Sequence, residues 1–262
     1  MAAAIPKGHC VYSDSPLVNA KNLGKRLVKA ALGRDHLLFA EVALPKLRLG
    51  TAYGGWFIAP GALPHDRPPV VLSFGIGDDI SFDLELIRRY QARVYAFDPT
   101  PKSLAWLARQ TGLPAAFTAF PCGVAEYDGV QRFSLPTLPE WDDYSIRRAS
   151  AAQVDCAVKR IATLAAEHGL SEIDLIKMDV EGSEYAVLAD FCTGSLRPAQ
   201  LLIEFHHGRD DIPLSETTAA VAALRALGYL IFDVSPWGRE FSFIHRSAVA
   251  AAMQPRAPRI ST

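Results

Sequence analysis

The chain is poor in the features that mark several protein classes. Its 262 residues hold only four cysteines, Cys10, Cys122, Cys156 and Cys192, widely spread and with no C-x-x-C pair. That spacing excludes a compact zinc site and argues against a disulfide framework, so reduced thiols in the cytoplasm are expected. Neither sign of charge is in excess: 27 Lys+Arg stand against 28 Asp+Glu. A protein that coats nucleic acid would carry a basic surplus or stripe, so no nucleic-acid partner is expected. No apolar run approaches the roughly 20 residues of a spanning helix, and no stable membrane insertion is expected. Met1 to Pro16 lacks the apolar core of a secretory signal. No repeat of solenoid period, no G-x-S-x-G elbow and no Walker loop occurs, which leaves hydrolase and P-loop chemistry without a foothold.

What remains is ordinary globular composition, half apolar and about a fifth charged. From Val70 the pattern becomes regular. Val70–Phe74, Arg93–Phe97, Ala115–Phe120, Asp174–Val180 and Leu201–His207 read as strands. Helical stretches follow at 80–90, 102–110, 183–191 and 215–227. Tyr229–Ser235 and Glu240–Arg246 are joined by only four residues and must be antiparallel neighbours. Strand–helix alternation predicts a doubly wound, mostly parallel α/β sheet with a terminal antiparallel hairpin. Residues 124–158 read as irregular or hairpin-like. Residues 1–69 stay outside this rhythm and are expected to form an N-terminal cap, with 70–249 the main domain and 250–262 a frayed tail. Within the cap, 19–34 reads as an amphipathic helix with Leu23, Leu27 and Ala31 packed on the domain.

Two motifs carry chemistry. The first is a strand ending at Gly75-Ile-Gly77, with Asp98 closing the next strand 21 residues beyond Gly77. Glycines permit a tight turn close to a ligand, and a carboxylate at that distance can accept ribose hydroxyls. Ile80 stands where the third glycine of G-x-G-x-x-G would be, which favours a nucleoside without a diphosphate, such as S-adenosylmethionine, over NAD. The second motif is Asp174-Leu-Ile-Lys-Met-Asp-Val-Glu-Gly-Ser-Glu184. Alternation places Lys177 with Asp179 on one face, and Glu204 with His206 on one face of the following strand. A lysine in a central parallel strand needs a partner, and Glu204 is the expected one. Asp179 and His206 are then the candidate bases at the strand tips. Gly50-Thr-Ala-Tyr-Gly-Gly-Trp56 offers Tyr53 and Trp56 as rings for a cofactor or acceptor. Glu204 and His206 with Asp179 could in principle hold a divalent ion, but no carboxylate-rich oxygen cage is evident and no metal is expected.

Val71–Phe82, Val94–Pro101, Ile173–Glu184 and Leu202–His206 together resemble the FkbM-type family of S-adenosylmethionine-dependent methyltransferases, over roughly residues 47–246. The Asp179–Glu184 block is the most specific element. The resemblance implies a seven-stranded class I methyltransferase sheet, Rossmann-like, whose last strand is antiparallel. It implies S-adenosylmethionine held by Ser73, Gly75, Ile76, Gly77, Asp79, Asp98, Pro99 and Thr100, with Cys122 and Gly123 beside the adenine. It also implies methyl transfer to an oxygen of a sugar or other small hydroxylated acceptor. The strand tips supply the catalytic wall for it: Asp179 or His206 as base, Glu204 and Lys177 behind them, and Glu181 beside them. The sequence departs from the family pattern at Ser73, where many members carry Asp; Asp78 or Asp79 is the expected substitute. An NAD-dependent oxidoreductase and a non-catalytic S-adenosylmethionine-binding protein are the alternatives.

Overall fold

Short apolar runs form strands and the longer amphipathic stretches form helices in the computed structural model, which describes residues 12–13, 15–135, 144, 146, 152–209, 211–254 and 256. In chain order they are α1 (Pro16–Ala31), β1 (Leu47–Leu49), β2 (Trp56–Ile58), β3 (Val70–Phe74), α2 (Ser81–Tyr90), β4 (Arg93–Phe97), α3 (Pro101–Leu107) and β5 (Phe117–Phe120). There follow β6 (Gly123–Val124), β7 (Gly129–Ser134), β8 (Gln153–Lys159), α4 (Ile161–Glu167), β9 (Leu175–Met178) and α5 (Glu184–Thr193). The chain closes with β10 (Gln200–Glu204), α6 (Leu214–Ala226), β11 (Tyr229–Val234), β12 (Glu240–His245) and α7 (Val249–Ala252).

The main sheet runs β11-β12-β10-β9-β3-β4-β5. Strands β10, β9, β3, β4 and β5 are parallel, and β12 is antiparallel to both of its neighbours. The chain winds outward from β3 to β5, then returns to the other side through β9 and β10. The order therefore reverses between β3 and β9, where open α/β sheets place their ligand crevice. Both faces are apolar, as a covered parallel sheet requires. Leu72, Phe74, Ile176, Met178, Leu201 and Ile203 pack under α4, α5 and α6. Val71, Val94, Leu175 and Leu202 pack under α2 and under Leu49, Trp56, Ile58 and Leu63 of the N-terminal segment.

The expected cap is thus part of a covering layer, and polar anchors tie it down. The fully buried Gln200 side chain accepts from Ala59 N at 2.7 Å and donates to Ala59 O at 3.2 Å. Arg67 makes a bidentate pair with Asp174 at 2.7 and 2.8 Å, while Asp174 also accepts from Val70 N.

Three expectations need correction. The helix near the N-terminus exists, but Leu23 and Leu27 are 42% and 51% exposed. Its buried residue is Arg26, paired with Asp35 at 3.1 Å and seated against the Gly238 turn, where a Cβ would collide with the guanidinium. The ion pair, not the leucines, docks the helix. Residues 124–158 supply a second sheet, β6-β8-β7; within that stretch, 136–143, 145 and 147–151 lie outside the described residues. The tail does not fray at 250: the Val249–Ala252 run forms α7, and Ala252 is fully buried. Its remainder, Pro255 and 257–262, lies outside the described residues. Helix α4 had gone unread, although Ile161, Leu164 and Ala165 carry the i, i+3, i+4 signal. Among the described residues no helix is long and apolar enough to cross a membrane.

Gly75 has φ +84°, and a Cβ there would lie 1.8 Å from the Asp179 carbonyl oxygen. Gly112 has φ +71° with open space around it. Thermal melts should therefore rank the two variants: Gly112→Ala costs about 1 kcal/mol of backbone strain, whereas Gly75→Ala costs at least about 2 kcal/mol more, roughly 4–8 °C in Tm. Equal melts would show that the two strand ends are not held in contact.

Candidate functional site

A cavity of about 370 Å³ opens at the carboxyl ends of β3, β4, β9 and β10. One side begins at the glycine turn after β3. Asp98, 4% exposed at the tip of β4, accepts from Ile76 N at 2.8 Å and Gly77 N at 3.2 Å through one oxygen. Its other oxygen accepts from Thr100 N at 2.8 Å and the Thr100 hydroxyl at 2.6 Å. The carboxylate expected to meet a ribose thus also holds the glycine turn in shape while lining the cavity.

The Gly50–Trp56 segment reaches the same cavity because α2 and its preceding loop hold it. Thr51 donates to Asp79 Oδ2 at 2.5 Å, Thr51 N to Ser81 Oγ at 2.8 Å and Gly50 N to Glu85 at 3.0 Å. Gly54 lies so near Asp79 that a Cβ would sit 2.6 Å from its carboxyl carbon. Tyr53 and Trp56 consequently line the cavity, together with Gly75, Ile76, Gly77, Asp79, Pro99, Thr100 and Gly123. Phe74, Phe97, Val124, Phe133 and Tyr144 add an apolar part. Two expected contacts fall away. Ser73 is fully buried inside the sheet and Cys122 packs against the core; neither lines the cavity that Gly123 lines. Burial pushes the Cys122 thiol up.

Lys177 reaches the cavity edge, but not toward Glu204. The parallel register aligns Lys177 with Ser73 and Leu202, leaving Glu204 beyond the last paired residues of β9 and β10. Lys177 Nζ instead donates to the Gly75 carbonyl, with the Phe74 carbonyl at 3.5 Å. The carboxylate it faces is Asp83 in the first turn of α2. Burial raises Asp83 to about 6, and the Lys177 ammonium opposes that rise.

The opposite wall is a cluster of carboxylates around one imidazole. His206 is 1% exposed and lies behind the cavity lining, formed here by Asp179, Glu181 and Glu204. Its Nδ1 is 3.2 Å from Glu184 Oε1, which also accepts from His206 N at 2.8 Å. Its Nε2 lies 3.6 Å from Asp179, 3.5 Å from Glu181 and 3.8 Å from Glu204. Burial alone lowers the affinity of His206 for its proton, but Glu181 and Glu184 outweigh it and push the group up to about 10. The enclosed imidazole does not itself line the cavity, whereas Asp179 and Glu204 do. Burial and the neighbouring Asp179 and Glu204 raise Glu181 to about 8 against the pull of His206 and Arg209, whose Nη1 lies 2.9 Å from it. Burial and Asp179 raise Glu204, and burial with Glu204 raises Glu240 further.

Glu184 had escaped attention as a site residue. It sits fully buried at the start of α5, where a helix N-terminus favours an anion, and it ties β10 to the turn through Gly182 N at 2.8 Å. Its signal was the acid at the first helical position after a Gly-Ser pair. Trp237, Arg239 and Glu240 were also missed; the β11–β12 hairpin brings them to the cavity.

Residues 71–231 match the family described as the methyltransferase FkbM domain. The methyltransferase sdnD of Sordaria araneosa is 29% identical over 141 residues, covering 41% of this chain and 54% of that protein. The chain therefore spans about half the length of this curated relative. Among solved structures, a fibrillarin of Aeropyrum pernix in complex with natively bound S-adenosyl-L-methionine is 14% identical, with TM-score 0.38, covering 77% of this chain and 81% of that one.

The register assigns different fates to the two substitutions that a Lys177–Glu204 pair would have linked. Lys177→Met leaves Asp83 without its facing cation and should destabilise the fold by about 3–5 kcal/mol. Glu204→Gln removes one of several crowded negative charges and should leave the melt unchanged or raised. A melt lowered by Glu204→Gln as much as by Lys177→Met would restore the pair. Asp83 adds a pH test. Its folded value, about 6, lies above its ordinary 3.8, so the cost of ionising it is absent below about pH 4 and complete above about pH 6. Asp83→Asn, which mimics the protonated acid, should remove this dependence, so the parent's melt should fall relative to the variant's between pH 4 and pH 8.

Proposed function

The chain belongs to the FkbM methyltransferase family, and on that premise we propose that it is an S-adenosylmethionine-dependent O-methyltransferase acting on a small hydroxylated acceptor. The observation that carries this reading is the cavity itself. It lies at the switch point of a seven-stranded, mostly parallel sheet whose last strand is antiparallel, and its two ends differ in chemistry. Its volume, about 370 Å³, is in the usual range for cofactor sites. The residues present fit the cofactor. Asp98 can accept from ribose hydroxyls, the glycine turn admits a close approach, and Phe97, Val124 and Phe133 suit a flat base. Asp79 and Asp179 on either side of Gly75, with Tyr53 and Trp56 nearby, suit a cation by charge and by ring face.

When bound, S-adenosylmethionine supplies a methyl carbon on a sulfonium, which passes to the acceptor oxygen as the carbon–sulfur bond breaks and its electron pair stays on sulfur. The protein's part is to align the acceptor and take its proton. Asp179 and Glu204 are the carboxylates exposed to the cavity at the ends of β9 and β10, and they are the proton acceptors. Glu181 is held by Arg209, and His206 keeps the wall in place from behind. Tyr53, Trp56 and Trp237 close the rim and exclude water from the acceptor. An oxidoreductase reading would require room for a pyrophosphate at the turn, but Ile80 is buried in the core there.

Calorimetry should show S-adenosylmethionine bound and NAD bound far more weakly. Asp98→Ala should weaken S-adenosylmethionine at least about tenfold, since losing hydrogen bonds to a charged group costs about 1.5–3 kcal/mol. Asp179→Asn should keep the cofactor affinity and slow single-turnover methyl transfer by about 100-fold. An Asp98→Ala variant that is folded and binds with the parent's Kd would sink the cofactor assignment.

A further inference from the structure

We propose that Asp179, Glu181 and His206 form a binding site for a divalent transition-metal cation, with Glu204 flanking it, on the acceptor side of the cavity. The first observation is spacing. One ligand atom from each of Asp179, Glu181 and His206 can be chosen so that all lie within 4.8 Å of one another. His206 Nε2 lies 3.5–3.8 Å from oxygens of Glu181, Asp179 and Glu204. A cation with bonds of about 2.1–2.4 Å sets neighbouring ligand atoms about 3.0–3.4 Å apart, so a small contraction closes the site.

The second observation is independent of the acids. His206 Nε2 has no hydrogen-bond partner, although its side chain is only 2% exposed and points into the carboxylates. Its other nitrogen is fixed by Glu184. A carboxylate that orients one imidazole nitrogen and leaves the other free is the outer half of a metal–histidine–carboxylate arrangement. Glu184 is itself held by two backbone N–H groups, so the ring cannot swing away. The third is backbone strain. Glu181 adopts φ +50°, rare for a residue with a side chain, and its carboxylate joins the cluster. Arg209 shares that carboxylate, which has lone pairs for both.

One imidazole among carboxylates suits Mn²⁺, Fe²⁺, Co²⁺ or Zn²⁺ better than Ca²⁺ or Mg²⁺. His206 lies behind the lining and the three acids lie within it, so the open side of the ion faces the cavity. Such an ion leaves positions for an acceptor hydroxyl and a second oxygen beside it, as in a vicinal diol or a 2-hydroxy acid. It lowers the pKa of the hydroxyl it touches. Asp179 then acts as ligand, and the acceptor's O–H proton passes to Glu204. This role rests on the methyl-transfer reading; the binding site does not.

The test is Mn²⁺ titration of the full chain followed by electron paramagnetic resonance, with Zn²⁺ competition. One Mn²⁺ per chain is expected, with Kd about 10⁻⁶–10⁻⁴ M, displaced by Zn²⁺. Asp179→Asn and Glu181→Gln, each checked for folding by circular dichroism, should weaken it at least about tenfold. No bound Mn²⁺ or Zn²⁺ in the parent chain, or undiminished binding in both folded variants, overturns the site. S-adenosylmethionine calorimetry on the same samples separates the two readings. Metal binding without cofactor binding leaves the site standing and removes the methyltransferase reading; cofactor binding without metal does the reverse.

Discussion

Gly75 presses its α-carbon against the Asp179 carbonyl so closely that no side chain fits between them, and the cavity exists because those two strand ends meet there. Asp179 N donates to the Phe74 carbonyl at 3.0 Å, and Gly75 N to the Phe97 carbonyl at 3.0 Å, so β3 is joined to its neighbours up to its last residue. Below the contact Lys177 binds the Gly75 carbonyl; above it Asp98 binds the next two amides. The turn is thus fixed by charged groups from β9 and β4, the strands that flank β3. Such bonds are stronger than neutral ones, which suits a loop that must stay open beside a cavity.

The same meeting of strand ends forces acids together. Asp179, Glu181, Glu204 and Glu240 face one region of the cavity, and burial raises the last three. His206, Arg209 and Arg239 offset part of that charge. An arrangement optimised for stability alone would replace such a cluster with apolar side chains, since buried ions rarely repay their desolvation. Carboxylates gathered at a strand-end crevice, with Glu181, Glu204 and Glu240 raised by burial and by one another, are instead the pattern of a functional site.

The sheet was legible because its strands are apolar on both faces and are punctuated by glycine and proline. The glycine turn and Asp98 were legible because their spacing is local to one strand–helix–strand unit. Register was not. Alternation put Lys177 with Asp179 and Glu204 with His206, but β9 ends at Met178 and β10 at Glu204, and the offset between strands decides which charges meet. Aligning Lys177 with Leu202 separates it from Glu204. The partner it faces, Asp83, lies on a helix more than ninety positions earlier, beyond the reach of any local pattern. Glu184 was hidden for the same reason: its link to His206 spans 22 residues and joins a helix start to a strand end. Ser73 and Cys122 came with the resemblance, and a motif match does not say which way a side chain turns: Ser73 lies buried within β3 and Cys122 packs on the core.

One consequence follows from how the cavity is divided. Its apolar side is built by the ends of β3 and β4 and by the smaller sheet, whereas its acidic side is built by the ends of β9 and β10 and the hairpin turn. Gly75 lies between them. A ligand that spans both sides meets aromatic and apolar side chains at one end and carboxylates at the other. The N-terminal segment completes this division: Thr51 binds Asp79, Gly50 binds Glu85, and Tyr53 and Trp56 cover the junction. Specificity for the second ligand then resides in the acidic wall and the rim, which come from elements distant in sequence, while the apolar side and the turn come from one contiguous stretch. That separation lets the acceptor chemistry vary without disturbing the glycine turn on which the cavity depends.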